Sequence, residues 1–194
     1  MISIVIPTLT KTRAEKTGAL AKLTAGCDTN LIVSYGPRDG FSKAVNRGLA
    51  QTNREDVCIL NDDILWFSPM WLEVLRRGLH VADRCGVVGP TGRSSTAPMK
   101  HGWFGQTGIM EVDHLPFWCV LVKRKAFDAA GYLDEAFIHY GSDNWFCWTI
   151  AQHGMTCAWV KDVFLEHEHH GSGMIQEWKD HDDLVMKRKA RRLR

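Results

Sequence analysis

The sequence predicts a single α/β domain around a mixed, mostly parallel central sheet. Short apolar runs alternate with helix-forming segments through the first half of the chain, a pattern typical of a parallel, doubly wound sheet. The length of 194 residues suits one domain better than two. A hydrophobic fraction of 45% and a charged fraction of 24% are ordinary for a soluble globular protein, and a net charge of only +2 excludes a general polyanion binder.

The first half contains three predicted strands and two predicted helices. Residues 2–6 are an apolar run closed by Pro7, which predicts a buried strand. The pattern continues with a helix over 13–23, a strand over 31–33, a helix over 41–52 and a strand over 57–60. An Asn-Asp-Asp triplet follows the third strand directly, and in open sheets of this kind ligands bind beyond the carboxyl ends of the strands.

The second half is less regular. Ser68 and Pro69 predict a helix start, because Ser is a good N-cap and Pro suits the first helical position. Residues 91–116 lose the alternation, and 91–100 are rich in Gly, Ser, Thr and Pro, which predicts a loop. Further strands are predicted over 86–90, 117–122 and 157–160, and further helices over 124–130 and 142–152. We place the domain at 1–174 and a charged, basic helical tail at 175–194.

Missing patterns disfavour several chemistries and locations. No G-x-G-x-x-G follows the first strand and no G-x-x-x-x-G-K-[ST] occurs, which disfavours nicotinamide and P-loop nucleotide chemistry. The six cysteines form no C-x-x-C pair, which indicates buried free thiols in a reducing compartment. The N-terminus does not resemble a signal peptide, and no apolar run reaches the ~18 residues of a membrane span. We therefore expect a soluble cytoplasmic protein, with peripheral membrane attachment left open.

The triplet Asn61-Asp62-Asp63 is the first candidate site. Two adjacent carboxylates at the end of a buried strand repel each other and are costly to desolvate. A hard divalent cation would relieve both costs, since Mg²⁺ and Mn²⁺ prefer oxygen ligands. The alternative is a polar turn that an Asp side chain caps. On these residues alone, both interpretations stay open.

Four ordered segments extend this observation over roughly residues 2–172. They are GFSKAVNRG followed by VCILNDD within 40–63, RKAFDAAGYLDE over 124–135, YGSD over 140–143, and the spacing of His167 and Ser172. The ordered set resembles family 2 glycosyltransferases of the GT-A fold, in their rhamnosyltransferase-like branch. The resemblance implies a GT-A-like, Rossmann-related domain. It also implies inverting transfer of a hexosyl or deoxyhexosyl group from a nucleotide-diphosphate sugar to a hydroxyl of a saccharide, a protein or another acceptor.

The resemblance also implies which residues act. Asp63 would bind Mn²⁺ or Mg²⁺ with help from Asp62 or His167, and the metal would neutralise charge on the departing diphosphate. Asp143 would accept the proton of the attacking hydroxyl. The implied donor-binding residues are Pro7, Thr8, Asn46, Asp62, Asp63 and Ser172.

Asp143 has a local physical rationale as well. Ser142 can cap the predicted helix, and the helix N-terminus would then keep Asp143 ionised. The alternative is an acid that only stabilises the first turn of that helix. Two replacements depart from the family pattern, since Asn61 and Ser142 stand where the family has acids. No acidic residue clearly follows strand two, although Ser34, Arg38 or Asp39 can substitute, so the donor base is left open.

Histidines and tryptophans supply further candidates. His167 and His169 lie in a segment with three histidines in four positions, either near metal and diphosphate or in a solvated loop. Trp118 and Trp145 are the candidate acceptor-binding residues, because aromatic faces stack on sugar rings, and core packing is the alternative. Trp103 belongs to the same set, whereas Trp148 fits core packing better. The segment 91–105 is a candidate lid over the donor, or else a disordered loop.

The C-terminus is basic, with six Lys or Arg residues in the last eight positions. It can contact an anionic membrane surface, contact nucleic acid, or form a solvated helix end whose cations suit the helix dipole. Two other functions remain open beside a transferase. One is a catalytically inactive relative that binds a nucleotide sugar or a glycan, and the other is a metal-dependent nucleotidyltransferase. The sequence does not predict an oligomeric state.

Overall fold

The structure is a computed structural model that describes residues 1–36, 40–94, 97–101, 108–168 and 175–191. The strands are β1 (Ile2–Thr8), β2 (Thr29–Tyr35), β3 (Val57–Leu60), β4 (Ile64–Phe67), β5 (Cys85–Gly89), β6 (Thr91–Ser94), β7 (Ala97–His101), β8 (Ile109–Val112), β9 (Cys119–Val122), β10 (Thr156–Val160) and β11 (Leu165–His167). The helices are α1 (Lys11–Thr24), α2 (Gly40–Leu49), α3 (Trp71–Leu79), α4 (Arg124–Ala130), α5 (Ser142–Gln152) and α6 (Gln176–Arg191).

The central sheet has the strand order β2-β1-β3-β9-β5-β10-β8. Strand β1 runs parallel to β2 and β3, and β10 runs parallel to β5. Strand β9 is antiparallel to both of its neighbours, and β8 is antiparallel to β10. All strands of this seven-stranded sheet except β8 and β9 therefore share one direction. This confirms the prediction of an α/β fold with a mixed, mostly parallel sheet.

Apolar side chains alternate between the two faces of this sheet. Ile4 and Leu60 belong to a buried cluster with residues of α1 and α3. Val5 and Ile59, their neighbours in the chain, belong to a second cluster with residues of α2, α4 and α5. A strand buried on both faces reads as a continuous apolar run, because successive side chains point to opposite faces. The two helical layers fix the edge where β1 and β3 end.

Residues 91–116 are more regular than the sequence predicts. Strands β6 and β7 form an antiparallel pair, and β8 adds the outermost strand to the central sheet next to β10. The alternation of β8 is weak, with only Val112 fully buried, because an edge strand exposes one face. The candidate lid over 91–105 falls partly outside the described residues.

The start of α3 also differs from the prediction. The helix begins at Trp71, and its N-cap is Met70 in a left-handed conformation with φ 59°. Ser68 does not cap the helix, because its Oγ accepts a hydrogen bond from the Phe164 N–H at 3.3 Å. This contact ties the segment after β4 to the segment before β11.

Helix α6 is attached to the domain by a buried carboxylate. Asp182 is 1% exposed and accepts hydrogen bonds from the backbone N–H groups of Ile138, His139 and Tyr140 at 2.7 to 2.8 Å. The expected boundary at residue 174 lies among residues outside the described part. The attachment of α6 places the C-terminal helix against the loop that precedes α5.

The described residues bear on two predictions, that the cysteines are buried free thiols and that no segment spans a membrane. All six cysteines are free thiols, and only Cys27 is not fully buried. Within the described ranges, no helix combines the length and the apolarity needed to cross a bilayer.

Candidate active site

A cavity of about 550 Å³ opens beyond the carboxyl ends of β1 and β3. Two groups of residues line it. The strand-end cluster consists of Thr8, Arg13, Asp62 and Asp63, and the aromatic wall consists of Phe41, His139, Tyr140 and Trp178. The remaining lining comes from Pro7, Leu9, Gly36, Gly40, Ala44, Asn61, Pro116, Phe117, Trp118, Gly141, Asp143 and Asn144. The location agrees with the ligand position expected for an open α/β sheet.

The Asp62 carboxylate is held by neighbouring side chains. It accepts hydrogen bonds from the Thr8 Oγ1 and from Arg13 Nη2, the latter at 2.8 Å. The backbone oxygen of Asp62 accepts a third bond from Thr17 Oγ1 at 2.7 Å. Both carboxylate oxygens are therefore engaged, and Asp62 anchors α1 to the end of β3. The alternative in which Asp62 helps Asp63 to bind metal is not what this geometry favours.

Asp63 faces a histidine instead. Its Oδ1 lies 2.9 Å from His167 Nε2, and both side chains are largely buried. The antiparallel pairing of β4 with β11 produces this contact, since His167 pairs with Ile64 and the Glu168 N–H donates to the Asp63 carbonyl at 3.0 Å. Burial by itself would raise the pKa of Asp63, but the hydrogen bond and charge of His167 outweigh burial and leave that pKa below its usual value.

Trp118 supports this pair. Its ring stacks on His167 with centroids 4.9 Å apart and planes 10° from parallel. Its carbonyl accepts a hydrogen bond from the Asn61 N–H at 2.7 Å, which fixes the residue next to the acidic pair. Trp118 also lines the cavity. It therefore orients the imidazole, in addition to any contact with an acceptor.

The donor set at Asp63 fits a divalent metal that also binds a diphosphate. Among the described residues, no group of three or more His, Cys, Asp or Glu side chains is placed to hold an ion. Mg²⁺ characteristically takes one or two protein carboxylates and completes its shell with water and substrate phosphates. Asp63 can supply the carboxylate, and His167 can add a nitrogen ligand or hold Asp63 in position. The arrangement suits a metal that arrives with its nucleotide better than a permanently caged ion.

Asp143 lies on the cavity surface in the first turn of α5. Its Oδ1 accepts a hydrogen bond from the Asn144 N–H at 2.8 Å. Burial raises the pKa of Asp143, and the backbone N–H groups of Asn144 and Phe117 offset only part of this effect. The sequence prediction that the helix terminus keeps this acid ionised is thus opposed by desolvation. A raised pKa makes the carboxylate a stronger proton acceptor.

Ser142 does not have the capping role that its position predicts. The N-cap of α5 is Gly141, in a left-handed conformation with φ 84° that glycine adopts without strain. The Ser142 hydroxyl is buried and has no hydrogen-bond partner among the described residues. The helix start is therefore set by the backbone at Gly141.

Several predicted site residues lie elsewhere. Asn46 is not in the cavity wall: its amide donates to the Leu133 carbonyl at 2.8 Å and to Glu135 at 2.9 Å, and accepts from the Leu133 N–H. We therefore place Asn46 behind the cavity wall, where it supports the segment around Leu133.

Trp145 stacks on Trp148 and also is not among the lining residues. Trp148 is 36% exposed, which differs from the core position favoured by its sequence context. Ser172, His169, Trp103, Arg38 and Asp39 lie outside the described residues.

The sequence did not single out Arg13 or the aromatic wall. Arg13 is 49 residues from Asp62, so no local pattern links them. Its Nε is buried and has no hydrogen-bond partner in the described structure, although the guanidinium lies at the cavity. Trp178 is a single tryptophan in the polar segment QEWKDHDD, and Asp182 follows one helical turn later. A large apolar side chain in such a polar segment was the one sequence feature that could have indicated packing of α6 on the domain.

Sequence similarity to known proteins is limited. No family model matches the chain. The uncharacterized protein y4gI of Sinorhizobium fredii (strain NBRC 101917 / NGR234) is 27% identical over 175 residues, which cover 76% of this chain and 18% of that protein.

Three solved structures have a similar fold. The mannosyltransferase PcManGT from Pyrobaculum calidifontis, in complex with GDP-Man and Mn²⁺, has a TM-score of 0.60 at 16% identity. The match covers 93% of this chain and 60% of the mannosyltransferase chain. GalNAc-T7 with UDP, GalNAc and Mn²⁺ has a TM-score of 0.58 at 14% identity, covering 86% and 43%. Protein A197 from STIV has a TM-score of 0.55 at 14% identity, covering 86% and 84%. The fold is thus that of GT-A-type glycosyltransferases, and this chain spans about half the length of the two transferases.

Proposed function

We propose that this chain is a glycosyltransferase that moves a sugar from a nucleotide-diphosphate donor to a hydroxyl acceptor. One observation carries the proposal: Asp63, paired with His167, and Asp143 line the same cavity at the carboxyl edge of the sheet. Sugar transfer needs charge stabilisation for a departing diphosphate and a base for the attacking hydroxyl. The cavity offers candidates for both within one site. The fold that it shares with two Mn²⁺-containing transferase structures adds support.

The strand-end cluster is the proposed donor site. Asp63 and His167 would hold Mn²⁺ or Mg²⁺, which when bound would neutralise charge on the diphosphate. Arg13 adds a cation at the same place, since its guanidinium lines the cavity beside the Asp62 carboxylate. Pro7 and Thr8 line the cavity at the end of β1, in keeping with a donor contact. Ser172 is retained as a phosphate contact from the sequence resemblance.

Asp143 is the proposed catalytic base. Burial raises the pKa of Asp143, so its carboxylate binds a proton more strongly than that of an exposed Asp. A base that takes the proton directly from the acceptor hydroxyl accords with single displacement at the anomeric carbon. The inverting outcome that the sequence resemblance implies is therefore part of the proposal.

A thermal-shift screen of UDP, GDP and dTDP sugars with and without Mn²⁺ tests the proposal. A ligand that binds only the native state at 100-fold excess over its Kd stabilises it by about 2.7 kcal/mol. For a domain of this size, that stabilisation raises the melting temperature by roughly 5–10 °C. We expect one nucleotide class to produce such a shift, and only when Mn²⁺ is present.

The same samples separate the alternatives. The active donor should release a nucleoside diphosphate slowly in the absence of acceptor. Binding without any release would favour an inactive relative, and release of a sugar 1-phosphate together with a nucleoside monophosphate would favour a nucleotidyltransferase. A flat screen, with no shift for any nucleotide sugar with Mn²⁺, would contradict the proposal.

A further inference from the structure

The aromatic wall is a feature of the cavity that the proposed donor chemistry does not use. His139 is its centre: its ring centroid lies 6.0 Å from Phe41, 4.6 Å from Tyr140 and 5.8 Å from Trp178. Phe41 is the second residue of α2, His139 and Tyr140 precede α5, and Trp178 belongs to α6. Three separate elements therefore converge to present aromatic rings to one cavity.

The wall is held in place from behind. The Asp182 carboxylate binds the backbone N–H groups of His139 and Tyr140, and the Tyr140 hydroxyl accepts a hydrogen bond from the Ile175 N–H at 3.2 Å. Lys189 pairs with Asp134 further along α6. These contacts fix Trp178 relative to the loop that carries His139. Burial lowers the pKa of His139, with Asp182 opposing the shift, so the ring is a neutral aromatic surface at neutral pH.

The position of the wall in the chain connects it to the base. Gly141 separates Tyr140 from the first residue of α5, and Asp143 lies in the first turn of that helix. A ligand stacked on the wall is thus presented next to the carboxylate that would take its proton. A pyranose ring has an apolar C–H face that packs on aromatic rings and a rim of hydroxyls, which suits a cavity with both features.

We propose that the aromatic wall is the acceptor subsite and that the acceptor is a saccharide, whose ring stacks against Trp178 and the side chains around His139. The inference rests on the proposed function and narrows it, because a protein side chain or another simple hydroxyl does not need such a wall. It also makes α6 a part of the substrate site.

The test measures glycoside binding separately from nucleotide binding. The probes are the methyl glycosides of glucose, galactose, mannose and N-acetylglucosamine, added to the full chain with diamagnetic Mg²⁺ and a saturating nucleoside diphosphate and followed by saturation-transfer NMR. We expect at least one glycoside to bind. Trp178→Ala should weaken its affinity on the order of tenfold, and Trp178→Phe should restore most of it. The matched control is Trp148→Ala, an exposed tryptophan of α5 outside the cavity lining, which should have no effect.

Nucleoside diphosphate affinity is measured on the same variants and should stay within about twofold. Three results would overturn the inference: the wild type binds nucleotide but no glycoside, Trp178→Ala binds the glycoside as tightly as wild type, or Trp178→Ala weakens nucleotide binding in place of glycoside binding. In each of these, nucleotide binding by the wild type still supports the transferase. Absence of nucleotide binding itself would instead remove the proposed function.

Discussion

The strand-end cluster and the aromatic wall line one cavity but are built differently. The cluster is fixed by charge-assisted hydrogen bonds between side chains at the ends of β1 and β3 and on α1. The wall comes from a loop and the helices α2 and α6, and one carboxylate, Asp182, ties the loop to α6 through three backbone N–H groups. Substitutions in the cluster should therefore act on chemistry and donor binding. Those behind the wall should act on local stability and acceptor binding.

The largest effect should come from Asp143, where the two regions meet. Asp143→Asn removes the proton acceptor and should lower the transfer rate by about 10²- to 10⁴-fold. Nucleotide affinity should change by less than about twofold, since the diphosphate contacts belong to the strand-end cluster. Asp128→Asn on the exposed face of α4 is the control and should leave both quantities unchanged. Near-normal transfer by Asp143→Asn would remove this residue from the mechanism.

Substitutions of the adjacent residues Asp62 and Asp63 should have clearly different effects on stability and on metal dependence. Asp63→Asn should abolish the Mn²⁺-dependent part of the nucleotide thermal shift while the apo protein keeps its fold. Asp62→Asn removes the negative charge that pairs with Arg13 and should lower the free energy of unfolding in urea by about 1–3 kcal/mol. Its remaining nucleotide binding should still depend on Mn²⁺. The opposite pattern, with metal dependence lost only in Asp62→Asn, would exchange the two roles.

The close approach between the start of α2 and the loop before α5 can be tested at Gly40. Gly40 has φ +73°, and a Cβ built there would lie 2.3 Å from the Ile138 carbonyl oxygen. Gly154 has φ +74° with no neighbouring atom within 4 Å. Gly154→Ala should cost about 1–2 kcal/mol from the left-handed backbone alone. Gly40→Ala should cost more in the same urea titration, because the loop before α5 must also move. Equal costs would show that this close approach is unimportant.

The smallest effect should be the pH dependence of α6 docking. Burial alone would raise the pKa of Asp182, but the N–H groups of Tyr140, His139 and Ile138 and the His181 side chain outweigh it, so the folded pKa lies below the unfolded value. A depressed folded pKa gives stability that is complete above the unfolded value of about 3.9 and is lost as pH falls through the folded pKa. Asp182→Asn should therefore be about 1 kcal/mol less stable than wild type at pH 6. This difference should shrink below about pH 4, and a difference that is constant with pH would contradict the docking role.

Local sequence patterns predicted the cluster better than the wall. The apolar runs over 2–6 and 57–60 correspond to β1 and β3, and the Asp pair follows β3 directly. Burial on both faces of a parallel sheet makes such strands visible as continuous apolar segments. The two short strands β4 and β11 were not predicted, because only their mutual pairing stabilises them, yet that pairing brings His167 to Asp63.

The wall depends on contacts that sequence spacing does not encode. Trp178 and Asp182 lie in the segment predicted as a charged helical tail, and packing against 138–140 gives the two residues a role. Asn46 and Trp145 show the opposite relation between sequence position and cavity. Each sits at a suggestive position, but neither is part of the cavity lining. Contacts between elements that are distant in the chain, rather than residue type, determine where these side chains lie.

Phosphorus NMR of the reaction products, recorded after the metal has been chelated, tests whether the chain transfers a sugar. The chain would be incubated with the nucleotide sugar that gives the largest Mn²⁺-dependent thermal shift and with a methyl glycoside that it binds. We expect a nucleoside diphosphate resonance that requires metal during the incubation, grows with glycoside concentration and is absent with Asp143→Asn. A sugar 1-phosphate resonance in place of the nucleoside diphosphate, or an unchanged donor spectrum in the presence of bound nucleotide sugar and glycoside, would contradict sugar transfer.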